Sequence, residues 1–226
     1  ILVARRLEKL KALKKTLNTK ATCIQCDLSQ PEELKKLVKR VSQRKPSLFI
    51  ANAGMGLVHN FERANWQDVE QQINVMMTAH IQLTHALLPN MIKQKSGDII
   101  FVNSIAGLIL SSSPTYGALK SALHLFANNL RLRYAKSNLR IISLCPGLTR
   151  TEFHQTMNAT QTYKKFPKSC WMEADTVVNR ALRDLKNNKA TSIPGLYNRL
   201  FYRLYCITPK VLWRQVYARF FLPKLA

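Results

Sequence analysis

Short apolar runs alternate along this chain with basic amphipathic stretches, and this alternation limits the fold more than any other feature. The apolar runs, each typical of a buried strand, are Ile1–Ala4, Thr22–Cys26, Leu48–Ala51, Asp98–Asn103 and Leu139–Leu144. The amphipathic stretches, each typical of a helix, cover residues 5–17, 31–43, 66–94 and 114–136. Strands that alternate with helices predict a parallel sheet with helices on both faces. We therefore predict a doubly wound α/β fold with three layers, α/β/α.

The length and composition predict a single domain with a short extension. A chain of 226 residues with 46% hydrophobic content can bury a sizeable core. No internal repeat or low-complexity linker interrupts it, but the composition changes after Pro194-Gly195, where aromatic and basic residues become frequent and acidic residues are absent. We predict an α/β domain over residues 1–194 and a basic, aromatic-rich helical extension over residues 195–226.

Polar or glycine-containing segments follow every predicted strand. In doubly wound sheets, ligands bind beyond the carboxyl ends of the strands. The segments at those ends are Arg5-Arg6, Asp27, Asn52-Ala53-Gly54, Ser104 and Pro146-Gly147. Their convergence on one crevice predicts a shared binding site.

Tyr116 and Lys120 add chemistry to that site. They are four residues apart, so on a helix they project from one face. A tyrosine phenol normally has a pKa near ~10, and a nearby ammonium lowers that pKa by favouring the phenolate. With Ser104 in the preceding segment, the trio predicts proton transfer to or from a carbonyl or alcohol oxygen.

The charge balance indicates anionic partners but does not by itself choose among them. With 35 Lys and Arg against 12 Asp and Glu, the formal net charge is +23. This excess attracts phosphate-rich cofactors, anionic membranes and nucleic acid. No nucleic-acid recognition motif accompanies the charge, so we expect no nucleic-acid partner. His80 and His85 are five residues apart, a poor ligand spacing on a helix, and we expect no metal.

The order and spacing of these residues closely resemble the classical short-chain dehydrogenase/reductase family, which has a Rossmann-like fold. The resemblance runs from Ile1 to about Gly195. It implies that Tyr116 is the general acid/base, that Lys120 lowers the pKa of Tyr116 and binds the nicotinamide ribose, and that Ser104 holds the substrate oxygen. It also implies that Asn74 anchors a water-mediated proton relay. The cofactor-binding positions that it implies are Asp27, Asn52, Ala53, Gly54, Tyr116, Lys120, Pro146, Gly147 and Thr151.

Arg5 predicts the choice of cofactor. A carboxylate after the first strand of this chain would bind the ribose diol of NAD and repel a 2′-phosphate. The segment here is Ala4-Arg5-Arg6, and guanidinium groups suit phosphate through forked hydrogen bonds. We therefore expect NADP(H) rather than NAD(H), with Arg5 as the phosphate ligand. The alternative is that both arginines are solvated residues at a helix start.

The chain departs from the family at its beginning. The glycine-rich turn T-G-x-x-x-G-x-G, with its strand and helix, has no counterpart here, and Ile1 matches the start of the family's second strand. By analogy with the family layout, we expect the fold to be N-terminally incomplete by roughly forty residues. Two sheet edges meant to pair with the missing strand would then be exposed.

Apolar residues border the predicted substrate side. They are Ile105, Leu108, Ile109, Leu110, Phe153, Met157, Phe166 and Trp171. They favour a small lipophilic carbonyl or alcohol as substrate, although core packing is an equally ordinary use for such residues.

The extension over residues 195–226 has two interpretations. Its basic, aromatic-rich helices suit peripheral contact with an anionic bilayer, or they close the substrate pocket or pack against another subunit. With no signal peptide and no apolar run of ~18–20 residues, we expect a cytoplasmic protein, with peripheral membrane association as the further expectation. The resemblance implies a homodimer or homotetramer. The alternative to an enzyme is a non-catalytic membrane-surface or scaffold protein with the same fold.

Overall fold

Eight strands and eight helices form the architecture that the structure, a computed structural model, describes over residues 1–57, 59–153 and 166–220. The strands are β1 (Leu2–Ala4), β2 (Cys23–Gln25), β3 (Leu48–Ala51), β4 (Gly97–Val102), β5 (Leu139–Leu144), β6 (Thr149–Arg150), β7 (Met172–Glu173) and β8 (Thr191–Ser192). The helices are α1 (Leu7–Thr16), α2 (Pro31–Val41), α3 (Trp66–Ile73), α4 (Ala79–Lys93), α5 (Pro114–Arg133), α6 (Ala174–Lys186), α7 (Leu196–Ile207) and α8 (Lys210–Phe220).

The main sheet is parallel, as predicted. Its strand order is β3-β4-β5-β8, and Ile99 of β4 lies opposite Ile141 of β5. Two further parallel pairs, β1-β2 and β6-β7, are hydrogen-bonded separately from it. Within the described ranges, β1 and β3 are therefore both edge strands. Their apolar side chains are partly uncovered: Val3, Leu48 and Ile50 are 36%, 38% and 49% exposed.

Alternating side chains of the central strands bury two separate cores, one on each face of the sheet. Ile99 and Phe101 pack with α2, α4 and α5 in the larger core. Ile100 and Ile142 face the opposite way and pack against α6. Successive strand residues point to opposite faces, so nearly continuous apolar strands are what a sheet covered on both sides requires. The predicted three-layer α/β/α architecture is confirmed.

The stretch predicted as one long helix over 66–94 is a continuous helical segment with an irregular centre. A π-helix over Asn74–Thr78 joins α3 to α4. A π-helical turn is rare in proteins, and those that occur often lie at functional sites. The segment packs against α5 at this point, which places the π-helix beside the helix that carries Tyr116 and Lys120.

The helices α7 and α8 pack on each other through aromatic rings. Trp213 of α8 makes edge-on contacts with Phe201 and Tyr205 of α7, at centroid distances of 5.1 and 5.2 Å. Pro209 lies between the two helices. None of the described helices combines the length and the apolar character needed to cross a membrane.

Candidate active site

Lys120 is the most deeply buried charged group of the predicted site. It lies in the second turn of α5, is 3% exposed, and its Nζ donates a hydrogen bond to the Val102 carbonyl at 2.6 Å, at the end of β4. Burial lowers the pKa of Lys120 to about 8, against a smaller opposing effect from Cys145. Its ammonium is therefore held in place and titrates much nearer to neutral pH than an exposed lysine.

Tyr116 lies one helical turn before Lys120, as the spacing predicts. The Lys120 Nζ is 5.8 Å from the centroid of the Tyr116 ring. Phe153 covers the same ring at a centroid distance of 5.9 Å, with the two planes tilted by 47°. Tyr116 is half-buried, and its neighbours include the apolar Phe153 ring and the Lys120 ammonium.

Two glycines allow the Ser104 segment to pack closely against α5. A Cβ added at Gly107 would lie 2.7 Å from the Lys120 carbonyl carbon, and one added at Gly117 would lie 2.7 Å from Ser111. Only glycine permits this approach of the 3₁₀ turn Ile105–Gly107 to the helix. Ser104 caps that turn, where its Oγ accepts a hydrogen bond from the Ala106 amide at 3.1 Å. The Ser104 proton stays available as a donor.

The segments after β3 and β5 join this arrangement. A Cβ at Gly54 would lie 3.7 Å from the Lys120 Nζ, so the Asn52-Ala53-Gly54 segment borders the ammonium. The Pro146 carbonyl accepts a hydrogen bond from the Ile105 amide at 2.9 Å, which ties the end of β5 to the Ser104 turn.

Further along, the chain after β5 packs against α7 and then turns. Gly147 abuts Asn198, since a Cβ there would come within 2.6 Å of the Asn198 amide. The Thr151 hydroxyl accepts a hydrogen bond from the Phe153 amide at 3.3 Å, which shapes the turn that carries Phe153 to Tyr116. Met157, predicted on the substrate side, lies outside the described residues.

Arg5 and Asp27 lie together at a second, open end of the predicted site. They line a cleft of about 490 Å³ with Gln25 and Glu33. The Arg5 Nη1 is 4.0 Å from the Asp27 Oδ2, and the Arg5 side chain is 64% exposed. Asp27 is oriented by Ser29, whose amide and hydroxyl both donate to its Oδ1 at 2.9 and 2.7 Å.

Asn74 contacts the cofactor end of the predicted site. Its Nδ2 donates to the Ser29 carbonyl at 3.3 Å. Met76, two residues later, is fully buried, and side chains two positions apart on a helix point to nearly opposite sides. The structure thus places Tyr116 beside Lys120, packs the turn that Ser104 caps against α5 through Gly107, and places Asn74 beside the turn after β2.

His80 lies near Lys120, and no pattern in the sequence indicates this contact. It is 1% exposed, and neither ring nitrogen makes a well-formed hydrogen bond within the described part of the chain. Burial, reinforced by the Lys120 charge, lowers the pKa of His80 to about 4, and the nearby Met76 carbonyl offsets part of this shift. The local spacing of His80 gives no signal of this contact, because Lys120 is distant in the sequence and the π-helix changes which side chains face α5.

A buried polar cluster behind the site was also missed. The Asn103 amide donates to the Ser143 hydroxyl at 2.7 Å, and that hydroxyl lies 2.8 Å from the His124 Nδ1. Cys145 lies 3.4 Å from the same hydroxyl, and burial raises the pKa of its thiol to about 11. These residues link the strand ends to the outer side of α5.

Comparison with known proteins identifies the family. The model of the short chain dehydrogenase family matches residues 1–162. A tropinone reductase homolog of Arabidopsis thaliana is 30% identical over 129 residues, covering 56% of this chain and 48% of the relative. An uncharacterised oxidoreductase of Listeria monocytogenes is 31% identical over 170 residues, covering 72% of this chain and 68% of the relative. The chain belongs to the short-chain dehydrogenase family.

Solved structures share the fold. A short-chain dehydrogenase from Sphingobium yanoikuyae in complex with NADPH superimposes with a TM-score of 0.81 at 23% identity, covering 96% of this chain and 84% of the other. An alcohol dehydrogenase from Comamonas testosteroni specific for bulky-bulky ketones gives a TM-score of 0.74 at 21% identity, covering 96% and 80%.

The chain matches only part of the length of several curated relatives. It spans 48% of the Arabidopsis thaliana relative, 63% of an uncharacterised oxidoreductase of Staphylococcus aureus and 64% of the Escherichia coli oxidoreductase UcpA. The fold and the family are therefore established for this chain, whereas its cofactor preference and substrate class are matters of inference from the site.

Proposed function

We propose that this protein is an NADP(H)-dependent oxidoreductase that interconverts a carbonyl and an alcohol on a lipophilic substrate. The buried Lys120 ammonium carries this proposal, because it lies one helical turn from Tyr116 and 3.7 Å from the side-chain position of Gly54. Burying a cation is costly, and a purely structural role would be served as well by an apolar side chain. A buried ammonium beside a tyrosine supports a role for that tyrosine in proton transfer.

The chain's own residues account for the proton transfer. Tyr116 gives a proton to the substrate oxygen during reduction and takes it back during oxidation. Ser104 donates a hydrogen bond to the same oxygen, because its Oγ accepts from the Ala106 amide and its proton has no acceptor among the described residues. Lys120 favours the phenolate form of Tyr116 and lowers its pKa towards neutrality. A relay role for Asn74 stays a prediction that its contact with Ser29 does not support.

The residues present fit a dinucleotide phosphate. Bound NADPH would supply the hydride. Arg5 offers a mostly exposed guanidinium in an open cleft, where forked hydrogen bonds suit a 2′-phosphate. Arg6 instead lies 3.8 Å from Glu152, which leaves Arg5 as the better ligand. Gly54 borders the Lys120 Nζ without a side chain, so a ribose hydroxyl bound beside Gly54 would lie near that ammonium.

Apolar side chains near Tyr116 support a lipophilic substrate. Phe153 covers the Tyr116 ring, and the turn after Ser104 presents Ile105, Leu108 and Ile109 as half-buried residues. Half-buried apolar groups around a proton donor suit a hydrophobic carbonyl compound better than a charged one.

The test is NADPH oxidation by the full-length protein with a panel of lipophilic ketones. We expect turnover by the unmodified protein and a loss of about 10²–10⁴-fold in Tyr116→Phe. Tyr197→Phe is the matched control, since Tyr197 is 68% exposed on α7. Equal turnover by the two variants would contradict the assignment of Tyr116. No turnover by the unmodified protein across the panel would favour a non-catalytic scaffold.

The outer face of the two C-terminal helices supports a further proposal, peripheral contact with an anionic membrane. Seven large hydrophobic side chains in the described part of these helices are at least half exposed: Leu196, Tyr197, Leu200, Leu204, Ile207, Val211 and Leu212. Basic residues interleave them, as suits a bilayer surface. The alternative occupant is a second subunit, in a homodimer or homotetramer.

Leu200→Gln/Leu204→Gln separates these two occupants. Loss of sedimentation with anionic vesicles, at unchanged molecular mass, supports the membrane. A fall in molecular mass supports the subunit interface, and no change in either measurement removes both proposals.

The edge strands support one more proposal, a strand that pairs with both β1 and β3. Both strands end a sheet, and both leave apolar side chains partly exposed. Amide hydrogen exchange tests it: slow exchange at both edges of the full-length protein supports a covering strand, and fast exchange at both contradicts it.

A further inference from the structure

A second cleft, of about 280 Å³, opens on the outer side of the sheet between α5, α6, β8 and α7. None of the residues that line it belongs to the candidate active site. Four of them are cationic, namely Arg180, Lys189, Arg199 and Arg203, and one is a carboxylate, Asp184. The cleft therefore carries an excess of positive charge.

The single carboxylate is already matched by two of these cations. Asp184 is 1% exposed, and its Oδ2 accepts hydrogen bonds from the Arg180 Nε and the Ser192 hydroxyl, both at 2.7 Å. The Lys189 Nζ lies 2.9 Å from the other oxygen. Asp184 thus fixes Arg180 and Lys189 as part of the wall, and it has no further oxygen to offer to the arginines of α7.

Arg199 and Arg203 remain without a carboxylate within ion-pair distance in the described part of the chain. They are four apart on α7, so they project from one face, where like charges repel each other. Arg199 uses one N–H, which donates to the Ile193 carbonyl at 3.3 Å. A guanidinium has five such donors, so both side chains keep donors for an anion.

His124 and Tyr202 also line the cleft, from α5 and from α7 between the two arginines. Both His124 ring nitrogens already have partners, since Nδ1 lies 2.8 Å from the Ser143 hydroxyl and Nε2 lies 3.1 Å from the Asn128 amide nitrogen. The donors left for an anion are therefore chiefly the guanidinium N–H groups of Arg199 and Arg203, and forked guanidinium donors suit the several oxygens of a phosphate.

We propose that this cleft binds the phosphate group of a phosphate-bearing ligand, at a site separate from the Arg5 end of the candidate active site. Two sources share this chemistry: a free phosphorylated compound and the headgroup of an anionic phospholipid. The apolar outer face of α7 adjoins the cleft, so both sources are tested.

The central comparison is between two pairs of charge-neutralising substitutions. Arg199→Gln/Arg203→Gln removes the two cations that Asp184 does not use. Arg183→Gln/Lys186→Gln is the matched control, because both of its residues are exposed on α6 and neither lines the cleft. Arg203→Gln alone is a third variant, since it leaves the Arg199 bond to Ile193 intact.

Two probes are used with the full-length protein. Inorganic phosphate is titrated while the His124 ring resonances are followed by NMR, a readout local to this cleft. Phosphatidylcholine vesicles with and without phosphatidic acid are used in sedimentation. We expect Arg199→Gln/Arg203→Gln to weaken binding tenfold or more, Arg203→Gln to weaken it less, and the control pair to bind as the unmodified protein does.

The two probes distinguish the two sources of phosphate. Phosphate-dependent His124 shifts without selective vesicle binding assign a soluble ligand, and selective binding of phosphatidic acid vesicles assigns a lipid headgroup. Equal weakening in the two charge-matched pairs would overturn the proposal, since it would show only the attraction of a highly basic protein for anions. The absence of both His124 shifts and vesicle binding in the unmodified protein would overturn it as well.

Discussion

The two ends of the candidate active site are built in opposite ways. At the Tyr116 end, Lys120 is 3% exposed, its Nζ donates to the Val102 carbonyl, and the Gly54 backbone borders it. At the Arg5 end, the guanidinium is 64% exposed and lies 4.0 Å from its nearest carboxylate. The first end is part of the core, whereas the second is a surface cleft.

This difference separates two kinds of requirement. Proton transfer needs atoms held within a few tenths of an ångström, and close packing supplies that at the cost of burying a charge. Recognition of a phosphate needs charge and donors, which an exposed arginine can provide. Substitutions at the buried end should therefore change turnover and stability together, and substitutions at the open end should change affinity alone.

Apart from Tyr116→Phe, the largest effect is expected for Lys120→Met. We expect kcat/KM for ketone reduction to fall by about 10²-fold or more, because the Tyr116 phenol loses its cationic neighbour.

The same variant tests the buried charge through the pH dependence of stability. The folded-state pKa of Lys120 is about 8, below its usual 10.5, so between these values the unfolded chain holds a proton that the folded chain has lost. Stability of the unmodified protein relative to Lys120→Met should then rise with pH across this window.

Urea unfolding of both proteins from pH 7 to 11 measures that difference directly. Cys145 changes the stability in the opposite direction, because its raised pKa makes the folded protein less stable as the pH rises. Both proteins contain Cys145, so comparing their two curves removes most of its contribution. A difference that does not vary with pH would mean that Lys120 is solvated in the folded state.

The next effect concerns His80 at acidic pH. Its folded-state pKa is about 4, below its usual 6.5, so the unfolded chain binds a proton between pH 6.5 and 4 that the folded chain refuses. The protein should lose roughly 2–4 kcal/mol of stability across this window on account of His80. His80→Leu should lose correspondingly less over the same range in urea unfolding, with His85→Leu on the same helix as control. Parallel curves for the unmodified protein and His80→Leu would refute the assignment.

A smaller effect is expected from the glycines that border Lys120. Gly107→Ala places a methyl group 2.7 Å from the Lys120 backbone, so the Ser104 turn must move and stability should fall by about 1–3 kcal/mol. Gly54→Ala makes an ordinary contact of 3.7 Å with the Lys120 Nζ, and its stability should stay within about 0.5 kcal/mol. Thermal unfolding compares the two, and equal losses would show that the turn is not pressed onto α5.

The fold and the common face of Tyr116 and Lys120 could be predicted from the sequence because both depend on local spacing. Apolar runs of strand length fix the parallel sheet, and the four-residue interval between Tyr116 and Lys120 fixes their common face. His80 could not be placed, since its neighbour Lys120 is forty residues away and the π-helix shifts which side chains face α5.

The basic cleft was missed for a related reason. Its cations come from α6, the turn before β8 and α7, and in the sequence each looks like an ordinary solvated residue. Only tertiary packing brings them to one side of the sheet. The separate pairing of β1 with β2 likewise depends on what lies beside β1, which local patterns do not encode.

The smallest effect, and the sharpest test of the open end, is expected from Arg5→Asp. Replacing a guanidinium by a carboxylate removes charge-assisted hydrogen bonds to a 2′-phosphate and adds repulsion. The Kd for NADPH should therefore rise about 10–100-fold while that for NADH changes little. Arg6→Asp is the control, because Arg6 lies near Glu152 rather than in the Arg5 cleft. Fluorescence titration of both cofactors measures the preference, and thermal unfolding should show unchanged stability, as expected for a side chain already 64% exposed. An unchanged ratio of the two Kd values would mean that Arg5 is only a solvated residue before α1, and that phosphate recognition lies elsewhere in the chain.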